Sequence, residues 1–408
     1  MGDKLTNTGS PVLNALIAPA SRRRASFKEV PIVSNARSVS LLARSTRTLQ
    51  ALVLAVGTTL AAAQPATSLP RSTVETISVN SGQSTQIQAF IDNWAPRLRS
   101  GDTQDARRAL EALTEPLHGR GVSIAFRQSY SQALMPLIDE LIASGSVQGK
   151  LGALRLSGDL ATPPGVQRVR GMLNDEDAGV RLFAVKSAGR VLDATSTHGP
   201  AMSEADARSL IDAVANAAKD SQDEEHIRAC ARSLAEGTTL GTRDLGSARS
   251  HAIVALSELV GDRLAALTPN DDPRFTQSLA LDAASATTQS ISDITATINE
   301  EAARAAVRLG GDIISVPLRR IIAKTIEPQG ERDMTVRSVQ AGETLLYFAR
   351  RKSAELKGQP MGGITTTGFS AQIKAGEDRD FRNQAAALLG PGGPIVTEFK
   401  LKDDRFLN

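Results

Sequence analysis

Lys150 to Leu160 reads KLGALRLSGDL, and 31 residues later Arg181 to Val191 reads RLFAVKSAGRV. Both follow one pattern: a base, Leu, any residue, Ala, an aliphatic residue, a base, any residue, a small residue and Gly. At helical pitch Ala153 and Ala184 face a neighbouring helix and the bases face solvent. Gly158 and Gly189 then read as the residues that close each helix. The frame returns more loosely in ARAAVRLGGDI (303–313), where Ala306, Arg308, Gly311 and Asp312 stand in the places of Ala153, Arg155, Gly158 and Asp159. Arg382, Ala385 and Gly390 keep it near the end of the chain, as do Arg228 and Ala231 in the middle. One amphipathic unit repeated in this way cannot bury its apolar side alone and needs a neighbour to lean on.

The composition agrees. Only 3% of the 408 residues are aromatic, against abundant Ala and Leu. Strands draw on aromatic and β-branched residues, whereas Ala and Leu pack between helices, so the fold class is all-α. Outside the repeat, Ala89, Phe90, Ile91, Trp94 and Leu98 mark a helix ending at Ser100-Gly101. Asp102 caps the next, and a third spans Ser123 to Ser144. Ser278 to Ile298 is a helix with a small-residue face, and Lys357 to Glu377, with five Gly, is a loop.

The segment LNDEDAGVRLFAVKSAG, Leu173 to Gly189, resembles the HEAT-like repeats found also in phycobilisome lyase-type proteins. Leu173, the acidic turn Asp175 to Asp177, Val180-Arg181, Ala184, Ala188 and Gly189 carry the likeness. It implies an α-solenoid of helical hairpins. The leading positions 150, 181, 228, 303 and 382 are unevenly spaced, so the solenoid is irregular in its C-terminal half. The implied organisation is a leader (1–63), a linker (64–83), an N-terminal helical region (84–145) and HEAT-like repeats (146–270). Long helices and degenerate repeats (271–356), a Gly-rich loop (357–377) and a terminal helix with its tail (378–408) follow.

The leader has the parts of a secretory signal: Arg44 and Arg47, an uncharged run from Leu49 to Ala63, and small residues at Ala61 and Ala63, with cleavage expected before Gln64. A transit peptide and a buried or anchoring helix are the alternatives; the run is short for a spanning helix, which needs about twenty apolar residues. Residues 1–63 carry eight bases against two acids, a surplus of six in a chain of net +3, so the remainder is −3. A mildly acidic mature chain is not expected to bind nucleic acid. Membrane contact is expected only through residues 49–63 if they are retained, and the compartment is periplasmic or extracellular.

No residue set argues for chemistry. His118, His198, His226 and His251 lack the i, i+3 or i+4 spacing of a local metal site, and Cys230 is the single cysteine. Cys230 lies among Ala residues as filler beside Arg228 and Arg232. Gly145 to Lys150 is one residue short of a phosphate loop, with Leu151 where the hydroxyl belongs. Gly390 to Pro394 reads as a turn, and Asp175 to Asp177 as a capped inter-helix turn rather than a calcium loop. Arg319-Arg320 and Arg350-Arg351 read as solvated helix faces. Catalytic, cofactor-binding and metal-ligating residues are therefore assigned to none. The functional expectation is an exported, non-enzymatic protein-interaction scaffold with an unidentified protein partner and no cofactor. A lyase-type enzyme or enzyme subunit, and a membrane-tethered assembly factor, are the alternatives.

Overall fold

A computed structural model describes residues 67–407 except 220 and 326–328. The leader, its apolar run 49–63 and the expected cut after Ala63 lie outside the described residues. These are all-helical, with no strand among them. The N-terminal part holds α1 (Arg71–Val74), α2 (Ser81–Arg99), α3 (Thr103–Thr114), a 3-10 turn (Glu115–Leu117) and α4 (Ile124–Ala143). The middle holds α5 (Val147–Leu160), α6 (Pro163–Gly171), α7 (Ala178–His198), α8 (Glu204–Lys219), α9 (Glu224–Gly237) and α10 (Thr242–Ala266). Then come α11 (Arg274–Ser292), α12 (Glu300–Ile322), α13 (Gln329–Leu356), α14 (Phe369–Ala375), α15 (Asp378–Leu389) and α16 (Pro394–Phe399).

Helix starts follow local chemistry. The first N–H groups of a helix have no partner within it, and short polar side chains supply one. Asn80 and Gln83 form a reciprocal capping box on α2, and Asp102, Ser123, Ser146, Asp177, Asp223 and Asn299 cap α3, α4, α5, α7, α9 and α12. Within the stretch expected to be a linker, α1 forms, with Thr73 and Val74 buried. Within the expected Gly-rich loop, α14 forms because the Glu343 carboxylate of α13 accepts from the backbone N–H groups of Phe369 and Ser370 and from the Thr367 hydroxyl. The helix expected over 278–298 is α11; it ends at Ser292 and leaves Ile294 exposed while Ile298 is buried.

Packing is alternate. From α5 onward each odd-numbered helix contacts the next odd one, α5 to α7 to α9 to α11 to α13. The even helices do the same from α6 to α8 to α10 to α12, and α12 then meets α15 and α16. Two apolar cores result. One gathers Ile87, Phe90, Phe126, Tyr130, Leu134 and Leu156; Phe126 and Tyr130 stack with ring centroids 5.1 Å apart, and the Tyr130 hydroxyl donates to the Leu113 carbonyl. The other runs from Leu154 to Phe406. Helix α5 serves both, Ala153 and Leu156 facing the first and Leu154 the second.

The frame alanines Ala153, Ala184, Ala231, Ala306 and Ala385 are all buried, as their spacing requires. The glycines do not all end helices as expected. Gly390 does end α15, but Gly158 and Gly189 lie inside α5 and α7. A Cβ on Gly158 would meet the backbone of Ser187 on α7 at 3.1–3.3 Å, and one on Gly189 would meet Ser233 on α9 at 2.9–3.4 Å. These glycines set the close approach of stacked helices rather than their ends. Ser233 Oγ donates to the Val185 carbonyl across the same seam at 2.7 Å.

Buried and half-buried arginines close helix C-termini, where carbonyls lack partners and the helix dipole is negative. Arg127 of α4, fully buried, donates to the carbonyls of Leu160 and Ala161 at 3.0 Å and of Gly199 at 2.8 Å. Arg263 of α10 donates to Ala218 at the end of α8, and Arg319 of α12 to Leu264 and Ala265 at the end of α10. Arg319 was expected on a solvated face; it is buried because the fork of a guanidinium can satisfy several carbonyls at once.

Candidate functional site

The structure scatters most of the residues singled out in the sequence. His118 Nε2 lies 3.1 Å from Asp159 Oδ2, a carboxylate shared with Arg155 at 2.8 Å and Arg190 at 3.7 Å. His198 enters the same neighbourhood; burial holds its pKa below the usual value, with Arg127 and His118 adding to the effect. His251 pairs with Asp212 at 2.6 Å, while His226 is buried and its pKa lowered by that burial. Among the described residues no three His, Cys, Asp or Glu come together as metal ligands.

Cys230 is fully buried, and desolvation pushes its thiol up to about 12, so it is not a thiolate near neutrality. Gly149 and Lys150 belong to α5 itself, with Ser146 as its cap and Lys150 Nζ bonded to Asp175 at 2.7 Å. Asp177 accepts from Val180 N–H as the cap of α7, and Gly393-Pro394 opens α16. Arg350 pairs with Glu398, and Arg351 lies over the Tyr347 ring.

A different place has the form of a site. Helix α12 ends at Ile322, and the chain closes it with Lys324 N–H donating to Ile321 O at 3.2 Å and Thr325 N–H to Arg320 O at 3.0 Å. This closure needs a left-handed residue, ordinarily Gly, and Lys324 adopts it at φ +60°. A side chain there costs about 1 kcal/mol relative to glycine.

Beside this turn is a cavity of about 360 Å³ between the end of α12, the start of α13, α14 and α15. Pro317, Ile321 and Ile373 give it an apolar lining. Among the described residues five bases line it, Arg320, Lys324, Arg332, Arg379 and Arg382, against the one carboxylate of Asp378. Arg332 is committed: its Nη2 donates to Asp378 at 2.5 Å and its Nε to the Ile373 carbonyl at 3.0 Å. Arg320 approaches Glu331 at 3.6 Å. Lys324, Arg379 and Arg382 make no ion pair among the described residues, and all three are exposed. What remains is a positive rim on an apolar pocket, suited to an anion.

The sequence reading missed this cavity because its bases come from three segments. Only Arg379 and Arg382, three apart on α15, carried a local signal.

No known family matches the chain, and no curated protein is detectably similar to it. No helix among the described residues is long and apolar enough to cross a membrane.

Proposed function

We propose that the chain is an exported, non-enzymatic interaction scaffold: an α-solenoid of HEAT-like hairpins, irregular in its C-terminal half, that presents the grooves between its stacked helices to a protein partner. The observation that supports this reading is the alternate packing, in which odd helices from α5 to α13 and even helices from α6 to α12 each contact the next of their own series. Stacks of that kind hold together by nearest-neighbour contacts and offer long surfaces without a catalytic set. The burial and raised pKa of Cys230 and the structural pairing of His118 and His251 also fit a binding role.

The test has two arms. Expression of the full chain with a C-terminal tag, followed by fractionation and intact-mass measurement, is expected to give a product beginning near Gln64 outside the cytosol. A chain retaining Met1 in the cytosol refutes export. For the scaffold, proximity labelling in the native host should recover a stoichiometric partner whose binding survives Cys230→Ser and His251→Gln. Loss of binding in either variant with the fold intact refutes a surface-only role.

A further inference from the structure

We propose that the pocket closing α12 binds a small organic phosphate, with its dianionic head among Lys324, Arg379 and Arg382 and an apolar body against Pro317, Ile321 and Ile373. The inference is independent of the scaffold reading, since every described lining residue lies between Pro317 and Arg382.

Three observations carry it. First, the charge is uncompensated where it matters. Arg332 is held by Asp378 and Arg320 lies near Glu331, whereas Lys324, Arg379 and Arg382 have no carboxylate partner among the described residues. Arg379 and Arg382 also stand three apart on α15, where like charges repel, and an anion between them and Lys324 relieves that repulsion. Three bases against one ligand favour a dianion over a monoanion, and guanidinium groups match phosphate oxygens in pairs.

Second, the cavity of about 360 Å³ falls in the size range of small-molecule sites and has the usual composition, apolar walls with a few polar groups at one side. A bare inorganic ion would leave the half-buried Ile321 wall wet. A ligand with an aromatic or aliphatic body covers it.

Third, Lys324 occupies a left-handed position at which glycine is the unstrained residue. The strain brings no ion pair within the described residues, so the useful part of Lys324 is the ammonium it places at the pocket.

The test is calorimetric titration of the full chain at low salt with three probes: phenyl phosphate, inorganic phosphate and benzoate. Phenyl phosphate is expected to bind saturably at one site, about tenfold more tightly than either of the others. The double variant Arg379→Gln/Arg382→Gln, changed only at exposed positions, should weaken phenyl phosphate about tenfold with its melting temperature unchanged. Lys324→Gly should weaken binding while raising the melting temperature, because it removes the left-handed strain. Absence of saturable binding overturns the site. Equal affinity for phenyl phosphate and inorganic phosphate overturns the apolar subsite, and equal affinity for benzoate overturns the dianion. Variants that bind like the native chain overturn the assignment of the three bases.

Discussion

Helices α5 and α12 carry the same short frame, ALRLSGD from Ala153 and AVRLGGD from Ala306, and use it differently. In α5 the gap at Gly158 admits the backbone of Ser187 from the next helix of its layer. In α12 the gap at Gly311 admits the ring of Phe406, whose atoms stand 2.6 Å from where a Cβ would be. The carboxylates diverge likewise. Asp159 is shared by Arg155 of its own helix, by Arg190 of α7 and by His118 of the connection before α4. Asp312, with no exposed surface, is gripped at both oxygens by Arg405 of the C-terminal tail, at 3.0 and 2.7 Å. Arg308, freed from the role of Arg155, reaches Asp262 and Glu258 on α10 instead. One frame thus encodes a gap and a buried acid. Helix α7 fills the gap in α5, and Phe406 fills the one in α12.

The largest expected difference comes from removing the arginine. Arg405→Ala leaves Asp312 buried without its counter-ion, which should cost about 3–5 kcal/mol in chemical denaturation near pH 8. Burial pushes the Asp312 carboxyl up to about 7 although Arg405 opposes it. Burial alone would lower Arg405, but its bonds to Asp312 and Asp262 raise it, so the arginine stays charged.

The sign of the pH effect follows. Between an ordinary unfolded value near 4 and the folded value of about 7, the folded chain holds a proton the unfolded chain has lost. This group therefore favours folding most below about pH 4 and progressively less up to about pH 7. Two outcomes should be seen. The Arg405→Ala defect is smaller at pH 5 than at pH 8, and Asp312→Asn flattens the slope of stability between pH 4 and 7 relative to the native chain. A defect equal at both pH values would remove the buried charge from the explanation.

Next in size are the gaps. Gly158→Ala and Gly311→Ala should each destabilise by about 1–3 kcal/mol through overpacking. They should part company on rescue: adding Phe406→Leu relieves Gly311→Ala, because a side chain obstructs it. Adding Ser187→Ala leaves Gly158→Ala impaired, because much of the obstruction there is backbone. Thermal melts of the four variants read this directly. The smallest effect belongs to Arg155→Ala, about 0.5–1 kcal/mol, since Asp159 keeps His118 and Arg190.

Much of this architecture can be read from spacing. Ala153, Ala184, Ala231, Ala306 and Ala385 point inward as their period demands, and Asp102, Ser123 and Asp177 cap the helices they precede. Period shows which way a residue faces but not whether the helix continues past it, so Gly158 and Gly189 could be taken for ends when they are contact points. Charge is similarly ambiguous. Arg319 and Arg127 look like surface residues until the carbonyls that receive them are in place, from residues 54, 55 and 33 or more positions away. The Asp312–Arg405 pair spans 93 residues, and the pocket bases Lys324, Arg379 and Arg382 join only through the packing of α12 and α15. A net charge for the whole chain also carries no sign of this local surplus, because it sums over every residue regardless of position.

The claim that Arg405 locks the C-terminal residues onto α12 is tested most directly by hydrogen exchange, comparing the native chain with Arg405→Ala. Stacked units open locally when an end contact is lost. The account predicts faster exchange in α10, α12, α13 and α15, which meet Arg405 or pack most on α12, with α2 and α4 as protected as before. Equal acceleration in α2 and α4, or no change in α12, would contradict it.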